Sequence, residues 1–240
     1  MPQPVGTGTL VICGGVYGSA STWLFNAAKL VLKSTYPLEK LYSTYSDTGP
    51  DSMSNLMGDA RFVVLKTHAP SESLRKLALS DCKVLLTVRD PADCVASIMQ
   101  RFWLPFEQAV ELVEQSTTTL VALANSVEHA LLRYETGFSQ DHRGMRTVAG
   151  FLLGRQCSEE MADALAPVLW PEAVKQTIDG LIADRVFDGT APSAQFDPET
   201  HWHPRHVGTI VSNQGARILT SAQLSTVATA TKEFRTHFGY

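Results

Sequence analysis

Short apolar runs separated by polar turns dominate the first part of the chain. Three of them, at residues 9–13, 61–65 and 83–88, are nearly continuous and rich in β-branched side chains, which is typical of parallel strands buried on both faces. Apolar residues at helical spacing follow the first run over residues 21–33 and the third over residues 91–101. Because strands alternate with helices, the pattern predicts βαβ units and an α/β fold with three layers around a central, mainly parallel sheet.

The second half of the chain carries mainly helical patterns. It predicts, in order, one long helix over residues 105–128, a short strand over 130–134, a helical segment over 145–183 with proline and glycine breaks, and a C-terminal helix over 221–237. The stretch 187–215 contains three prolines and is predicted to be a loop. No linker separates two regions of different composition, so we expect one domain over residues 1–240.

Composition and charge narrow the class of protein. The 240 residues include 20 Lys and Arg against 24 Asp and Glu, a net charge of −4, and 44% are hydrophobic. A chain of this length and apolar content forms a packed core and is not disordered. Its scattered cations argue against a nucleic-acid partner, because general nucleic-acid binding neutralises many phosphates at once. An anionic ligand is therefore expected at a focused site.

The spacing of the cysteines and the apolar stretch near residue 10 indicate the cellular compartment of the protein. Cys13, Cys82, Cys94 and Cys157 are far apart and form no CxxC pair, so neither a zinc ribbon nor a redox dithiol is indicated and a reducing compartment is expected. The apolar stretch at residues 10–16 is too short and too rich in glycine for a signal peptide or a membrane span. We therefore expect a cytoplasmic protein without a membrane span.

The loop after the first strand is the first candidate for chemistry. In open parallel sheets, ligands bind at the carboxyl ends of strands, where turns lead into helix N-termini. Residues 14–23 read Gly-Gly-Val-Tyr-Gly-Ser-Ala-Ser-Thr-Trp, and small residues with free amides and hydroxyls suit a phosphate. The loop lacks the lysine of a Walker A motif and contains no GxGxxG. A plain turn rich in glycine and serine is the alternative.

Two further strand ends carry charged side chains. Lys66 and His68 follow the second strand and face the same way if the strand continues, so the lysine can stabilise charge while the histidine takes a proton. Arg89 ends the third strand, and Ser97 lies about two turns into the next helix. An anion clamp and a purely structural role are both compatible with these residues.

Together these segments resemble the sulfotransferases that use 3′-phosphoadenosine 5′-phosphosulfate (PAPS). The phosphosulfate loop of that family has the form basic-Ser-Gly-(Ser/Thr)-Thr-Trp, and residues 18–23 occupy its place. The Lys-Thr-His-x-Pro motif is present at residues 66–70, and Arg-Asp-Pro with a serine eight residues after the arginine is present at residues 89–97. Arg-Tyr-Glu at 133–135 and Phe-Leu-Leu-Gly at 151–154 are also similar, and all matches occur in the family's order.

The resemblance implies a P-loop-like sulfotransferase architecture, with PAPS as the sulfuryl donor and 3′-phosphoadenosine 5′-phosphate (PAP) as its product. It implies that His68 is the catalytic base and that Lys66 stabilises the leaving phosphate. The loop hydroxyls would bind the 5′-phosphate, the loop tryptophan would stack on adenine, and Arg89 and Ser97 would bind the 3′-phosphate. The cofactor contacts implied in this way are Tyr17, Gly18, Ser19, Ala20, Ser21, Thr22, Trp23, Arg89, Ser97, Tyr134, Arg205 and His206.

Two positions of the loop depart from the family pattern. Gly18 stands where the family has a basic residue that helps hold the bridging oxygen, and Ala20 stands where it has glycine. The positive charge would then come from Lys66 alone or from one of Lys29, Arg101 and Arg205. A descendant that binds the nucleotide or a partner protein without catalysis is one alternative function, and a P-loop-like kinase is another.

A histidine-rich segment near the C-terminus is the last candidate. Residues 203–208 stand where many family members carry Arg-Lys-Gly over the 3′-phosphate, which is why Arg205 and His206 are expected to contact the cofactor. His201, His203 and His206 match no standard zinc spacing, so we expect no metal site. The acceptor is expected to be a small molecule or a biosynthetic precursor, and the sequence does not choose among hydroxyl and amine acceptors.

Overall fold

The computed structural model describes residues 8–48, 59–80, 82–154, 158–184, 186, 195–205 and 213–240. In this part of the chain one sheet is formed by β1 (Thr9–Gly15), β2 (Leu41–Tyr45), β3 (Phe62–Thr67), β4 (Cys82–Val88) and β5 (His129–Arg133), in the order β2-β3-β1-β4-β5. Every neighbouring pair of strands is parallel. Parallel neighbours need crossover connections, and helices supply most of them here.

The described residues also form ten α-helices. In chain order they are α1 (Ser21–Thr35), α2 (Glu72–Ala78), α3 (Pro91–Phe102), α4 (Phe106–Ala124), α5 (His142–Leu153), α6 (Glu159–Leu165), α7 (Pro171–Ala183), α8 (Gln214–Ile218), α9 (Ser221–Ala230) and α10 (Lys232–Phe238). Helices α1, α5, α6 and α7 pack on one face of the sheet, and α2, α3, α4, α9 and α10 pack on the other. This arrangement confirms the three-layer α/β fold. No helix in the described ranges is both long and apolar enough to cross a membrane.

The central strands are buried on both faces. In β1, Leu10 and Ile12 belong to one core, Val11 and Cys13 belong to the other, and all four are at most 3% exposed. Burying each aliphatic side chain of this kind stabilises the fold by roughly 1.5–3 kcal/mol. This two-sided burial explains why β1, β3 and β4 stand out in the sequence as nearly continuous apolar runs.

Several elements differ from the sequence prediction. Strand β2 and helix α2 were not predicted, because β2 is a half-exposed edge strand of mixed sequence and α2 spans only seven residues. The long helix α4 ends at Ala124 rather than at residue 128. The C-terminal helical pattern is divided into α9 and α10 at Thr231, whose hydroxyl donates a hydrogen bond to the Val227 carbonyl. Helix α8 begins inside the stretch predicted to be a loop.

The carboxyl ends of β1, β3 and β4 lie side by side. Gly14 pairs in register with Thr67 of β3, and Gly15 pairs with Thr87 of β4. The segments that follow these strands therefore meet at one edge of the sheet, where ligands bind in open α/β folds. Helix α3 starts at this edge, with Asp90 as a capping residue that accepts hydrogen bonds from two amides of its first turn.

Candidate active site

A cavity of about 230 Å³ opens where the ends of β1 and β3 meet helix α3. It is lined by Tyr17, Gly18, Ala20, Ser21 and Thr22 after β1, by Tyr45 of β2, by Lys66 and His68 at the end of β3, by Ile98, Arg101 and Phe102 of α3, and by Phe196, His201 and His203. Cationic and aromatic groups are prominent in this lining, and no carboxylate is among the described residues that form it. Such a cavity suits an anionic ligand.

The loop between β1 and α1 follows a path that requires small residues. Gly15 leaves no space for a side chain, since a Cβ there would lie 2.2 Å from Thr87 Oγ1. Gly18 and Ala20 adopt left-handed conformations, with φ of 80° and 67°, which glycine tolerates better than alanine. Ala20 is also the N-cap of α1 and offers the helix no side-chain hydrogen bond. The first backbone amides of α1 can therefore donate hydrogen bonds to an anion or to water.

Ser19 holds this loop to strand β4. Its hydroxyl donates to the Val16 carbonyl at 2.6 Å and lies 2.8 Å from Thr87 Oγ1. Its backbone amide donates to the same Val16 carbonyl at 3.0 Å, and the residue is fully buried. The Ser19 hydroxyl is therefore engaged within the fold, whereas Ser21 and Thr22 line the cavity.

Lys66 and Thr22 join the end of β3 to the start of α1. The Lys66 ammonium donates a hydrogen bond to Thr22 Oγ1 at 2.6 Å, and Lys66 is only 7% exposed. Burial lowers the pKa of Lys66 to about 7, although the nearby Asp47 carboxylate acts in the opposite direction. The cavity therefore contains an ammonium group whose charge changes in the neutral pH range.

His68 is fixed in one tautomer. Its Nδ1 lies 2.6 Å from the Gly15 carbonyl oxygen, and because a carbonyl only accepts, Nδ1 carries the proton and Nε2 is the basic nitrogen. Tyr17 stacks on the ring, with 4.0 Å between centroids. Burial, and after it the charge of Lys66, lowers the pKa of His68. The ring is therefore neutral near pH 7 and can accept a proton.

Asp47 organises the turn that carries His68. Its Oδ1 accepts from the His68 and Ala69 amides, both at 2.9 Å, and from the Thr67 hydroxyl at 2.6 Å. Its Oδ2 accepts from the Tyr45 hydroxyl at 2.5 Å. Burial acts to raise the pKa of the Asp47 carboxyl, but these hydrogen bonds outweigh it and the pKa lies below its ordinary value. A single carboxylate thus fixes the ends of β2 and β3 together.

Arg89 lies beneath the loop. It is 1% exposed, its Nη1 donates to the Gly18 carbonyl at 3.0 Å, and its Nη2 lies 3.6 Å from the Asp93 carboxylate. The guanidinium carbon lies 4.1 Å from the centroid of the Tyr134 ring. Ser97 lies beside the same part of the loop, since a Cβ added to Gly18 would be 3.3 Å from Ser97 Oγ. The fold thus groups these predicted site residues at one end of the loop.

Arg101 reaches the cavity from the last turn of α3. Burial is the main cause that lowers the pKa of its guanidinium. Arg205 lies next to it, at the surface of the same helix end. Its guanidinium carbon is 3.4 Å from the centroid of the Trp103 ring, and its Nη1 donates to the Arg101 carbonyl at 3.4 Å. The structure therefore brings Arg205 close to the cavity, although it is not among the described residues that line it.

His201 and His203 line the cavity as neutral rings. Burial, and after it the charge of Lys66, lowers the pKa of His201 to about 4. Burial, and after it the charge of Arg101, lowers the pKa of His203 to about 3. His203 also contacts Phe102, with 5.6 Å between ring centroids. Within the described ranges, no group of three or more His, Cys, Asp or Glu side chains is arranged to hold a metal ion.

Six of the predicted cofactor contacts are described but are not among the residues that line the cavity: Ser19, Trp23, Arg89, Ser97, Tyr134 and Arg205. Trp23 is 4% exposed and packs against Phe138, with 5.1 Å between ring centroids, in the core between α1 and α5. Its indole ring also closes over Gly144, where a Cβ would lie 2.9 Å from the ring. The indole nitrogen has no hydrogen-bond partner among the residues that the structure describes. His206 lies outside the described residues.

The sequence motifs missed one residue of the site and left another undecided. Asp47 belongs to none of the sequence motifs. Its position shortly after β2 could have revealed it, but the mixed sequence of β2 did not allow that strand to be predicted. Arg101 was one of three possible cations. Its only signal is its position four residues after Ser97, which places both on the same face of a helix.

Comparison with known proteins identifies the family. The family model described as "Sulfotransferase domain" matches residues 46–166, which are 121 of the 240 residues of the chain. The matched range contains five of the residues grouped around the cavity and the loop, namely Lys66, His68, Arg89, Ser97 and Tyr134.

Solved structures share the fold. A retinol dehydratase in complex with androsterone and the inactive cofactor PAP is 14% identical, with a TM-score of 0.62 over 94% of this chain and 80% of that one. Mouse sulfotransferase SULT7A1 complexed with PAP is 14% identical, with a TM-score of 0.61 over 95% of this chain and 84% of that one. No curated protein matches the chain significantly in sequence. On the family match and the shared fold, the chain belongs to the sulfotransferase domain family.

Proposed function

We propose that the protein transfers the sulfuryl group of PAPS to a hydroxyl or amine of a small-molecule or precursor acceptor. In this proposal His68 is the general base, and Lys66 stabilises the phosphate that leaves. The observation that carries the proposal is the hydrogen bond from His68 Nδ1 to the Gly15 carbonyl. It leaves His68 Nε2 as a base in the same cavity as the Lys66–Thr22 pair.

The residues present suit the phosphosulfate group of PAPS. The loop has small residues, a left-handed Gly18 and uncapped helix amides, and the hydroxyls of Ser21 and Thr22 line the cavity. Lys66 and Arg101 supply positive charge to a cavity whose described lining has no carboxylate. Bound there, PAPS would supply the sulfuryl group together with a phosphate that departs from it. The roles of the predicted contacts Tyr17, Ala20, Arg89, Ser97, Tyr134 and Arg205 are part of this proposal.

His68 acts on the acceptor. With Nδ1 donating to a carbonyl, Nε2 takes the proton of the acceptor hydroxyl as its oxygen attacks sulfur in line. Burial lowers the pKa of His68 most, and the charge of Lys66 lowers it further. An anion beside Lys66 offsets part of the second effect and makes the ring more basic. The base is thus strengthened when the anionic donor is in place. Because the described part of the lining has no carboxylate, neutral and anionic acceptors suit this cavity better than cationic amines.

Lys66 acts on the leaving group. Its ammonium donates to Thr22 at the start of α1, where the uncapped amides of the first turn can also donate to an anion. In transfers of this kind the protein contributes positioning and the stabilisation of charge on the attacking and leaving oxygens. Lys66 therefore balances the negative charge that develops on the departing phosphate oxygen. The Asp47 network keeps the end of β3, and with it both side chains, at this position.

The test combines turnover with nucleotide binding. For His68→Ala we expect a loss of at least about 100-fold in sulfuryl transfer from PAPS, the usual contribution of a general base, with PAP affinity nearly unchanged. Transfer is measured with radiolabelled PAPS and a panel of phenol, primary alcohol, sugar and amine acceptors, and PAP binding is measured by calorimetry. The matched control is His237→Ala, which changes an exposed histidine of α10.

Each outcome bears on the proposal. Unchanged turnover in His68→Ala would remove His68 as the base. A wild-type protein that binds PAP but transfers to no acceptor favours a non-catalytic descendant of the family. Tighter binding of Mg-ATP than of PAP favours a P-loop-like kinase. Absence of PAP binding by the wild-type protein would overturn the proposed function as a whole.

A further inference from the structure

One positive charge in the cavity has no anionic partner in the described part of the chain. The Arg101 guanidinium makes no ion pair or hydrogen bond with any residue that the structure describes, and the contact with Arg205 is made by the backbone carbonyl of Arg101, which accepts from Arg205 Nη1. Arg89 differs, because it is paired with Asp93 and donates to the Gly18 carbonyl. Arg101 is of intermediate exposure, and a partly buried cation without a counter-ion gains more from a bound anion than a fully solvated one does. Arg101 is therefore prepared for an anion that enters the cavity.

Helix geometry places Arg101 next to the part of the loop that lacks a cation. A Cβ on Gly18 would lie 3.3 Å from Ser97 Oγ and 3.7 Å from the Cα of Cys94, so the loop crosses α3 at these residues. Arg101 is four residues beyond Ser97 and seven beyond Cys94, which puts all three on one face of the helix. Arg101 also lines the same cavity as Gly18 and Thr22. It thus approaches the loop from the turn that follows the crossing.

The other candidate cations are engaged elsewhere. The Lys29 ammonium donates a hydrogen bond to the Glu199 carbonyl. The Arg205 guanidinium stacks on Trp103. Neither residue is among those described as lining the cavity, whereas Lys66 and Arg101 both are. Of the three cations that the sequence left open, the structure selects Arg101.

The charges of the cavity match those of a phosphosulfate. This group carries one negative charge on phosphorus oxygens and one on the sulfuryl oxygens. Lys66 is held on Thr22 at the start of α1, on the side where the uncapped amides favour a phosphate. Arg101 lies on the α3 side, and after burial its charge is the next cause that lowers the pKa of the cavity residue His203. Two cations that reach the cavity from different elements, Lys66 from β3 and Arg101 from α3, therefore correspond in number to the two anionic ends of the group.

We propose that Arg101 binds the sulfuryl oxygens of the donor and supplies, from helix α3, the positive charge that the loop lacks at Gly18. A guanidinium suits this task because its planar donors can bind two oxygens of one anion. The inference rests on the proposed function, since it assigns a wall of the same cavity to one end of PAPS. It makes Arg101 a substrate-binding residue for the transferred group.

The test is a binding panel that needs no acceptor. Wild type, Arg101→Ala and Arg101→Lys are titrated calorimetrically with PAPS, with PAP, which lacks the sulfuryl group, and with adenosine 5′-phosphosulfate, which lacks the 3′-phosphate. For Arg101→Ala we expect affinity for both sulfuryl-bearing nucleotides to fall by about tenfold or more, the effect of losing a hydrogen-bonded charge, with PAP affinity little changed. Arg101→Lys should retain part of the affinity.

The control and the contrary outcomes separate this inference from the proposed function. Arg217→Ala removes an exposed arginine from the last turn of another helix and should change none of the three affinities. Equal losses for PAPS and PAP, with adenosine 5′-phosphosulfate spared, would place Arg101 at the 3′-phosphate and overturn the inference. Unchanged affinities in a folded Arg101→Ala protein would overturn it as well. If the wild-type protein binds none of the three nucleotides, the proposed function itself fails.

Discussion

At the scale of single residues, burial sets the charge of the cavity. The pKa values of Lys66, His68, His201 and His203 are all lowered, first of all because these groups are removed from water. The histidines are neutral near pH 7, whereas Lys66, with a pKa of about 7, is divided between its charged and neutral forms. An anion bound beside Lys66 favours the charged form. Binding of an anionic nucleotide and protonation of Lys66 are therefore linked.

We expect the affinity for PAP to fall as the pH rises from 7 to 9. Since burial lowers the pKa of Lys66 to about 7, binding above that pH must first protonate the amine, and Kd should rise by up to about tenfold per pH unit for one proton. The phosphates of PAP are nearly fully ionised in this range. Of the other cavity groups, the histidines are already neutral, and the pKa values of Tyr17 and Tyr45 are raised.

Calorimetry in two buffers of different ionisation enthalpy measures this proton uptake directly. In Lys66→Arg the guanidinium stays charged from pH 7 to 9, so the Kd of this variant for PAP should stay nearly constant over that range. A wild-type affinity that is equally independent of pH, with no proton uptake, would contradict the linkage.

At the scale of secondary-structure elements, the site depends on how strand ends are joined. Asp47 follows β2 and accepts hydrogen bonds from the two amides after β3, from the Thr67 hydroxyl and from the Tyr45 hydroxyl. Ser116 of α4 donates a hydrogen bond to the His68 carbonyl at 2.7 Å. The catalytic base proposed here is thus held by one edge strand and one helix, which are far apart in the sequence.

We expect Asp47→Ala to lower the free energy of unfolding by about 2 kcal/mol, because it leaves several donors without an acceptor. Sulfuryl transfer should fall with it, since the turn that positions His68 loses its anchor. Hydrogen bonds hold the pKa of the Asp47 carboxyl below its ordinary value even though burial opposes them, so its stabilising effect is present above about pH 4 and is lost as the pH falls below that value.

Urea unfolding at pH 7 and at pH 3 checks both statements. The difference between wild type and Asp47→Ala should narrow at the lower pH. Asp59→Asn, which changes an exposed carboxylate paired with Lys40, is the matched control and should change stability little. A difference of the same size at both pH values would show that the charge of Asp47 contributes nothing.

At the scale of the whole molecule, charge is distributed unevenly. The net charge is −4, yet the described lining of the cavity contains two cations and no carboxylate. A chain of net negative charge with cations in one small cavity suits a small anionic ligand and not a polyanion. Two hydrophobic cores pack on opposite faces of the sheet that carries this cavity. Binding at the edge of the sheet is therefore expected to stabilise both layers together.

We expect PAP to raise the melting temperature of the whole chain in one transition. At 100 times its Kd, a ligand that binds only the folded state adds about 2.7 kcal/mol, which corresponds to roughly 5–10 °C for a chain of this size. ADP and Mg-ATP at the same concentration should have smaller effects, because neither has a 3′-phosphate. Differential scanning calorimetry gives both the shift and the number of transitions. A second transition that PAP does not move would contradict a single domain over residues 1–240.

The sequence predicted the parts of the fold whose signals are local. The apolar runs of β1, β3 and β4 mark strands buried on both faces, and the residues that follow each strand meet at one edge because parallel strands end together. That is why Lys66 and His68 are found at the cavity with the loop after β1. The edge strand β2 was missed because half-exposed strands carry no continuous apolar run, and Asp47 was missed with it.

By itself, then, the sequence determined the α/β class, the order of the motifs and the chemical types of residue at the strand ends, because periodicity and short motifs are written in neighbouring positions. Only the tertiary structure decided how those residues are used. It engages the Ser19 hydroxyl with β4 and packs Trp23 into the core, and it leaves Arg101 in the cavity without a described anionic partner. The physical reason is that burial, counter-ions and desolvation depend on residues distant in the chain, which no local pattern contains.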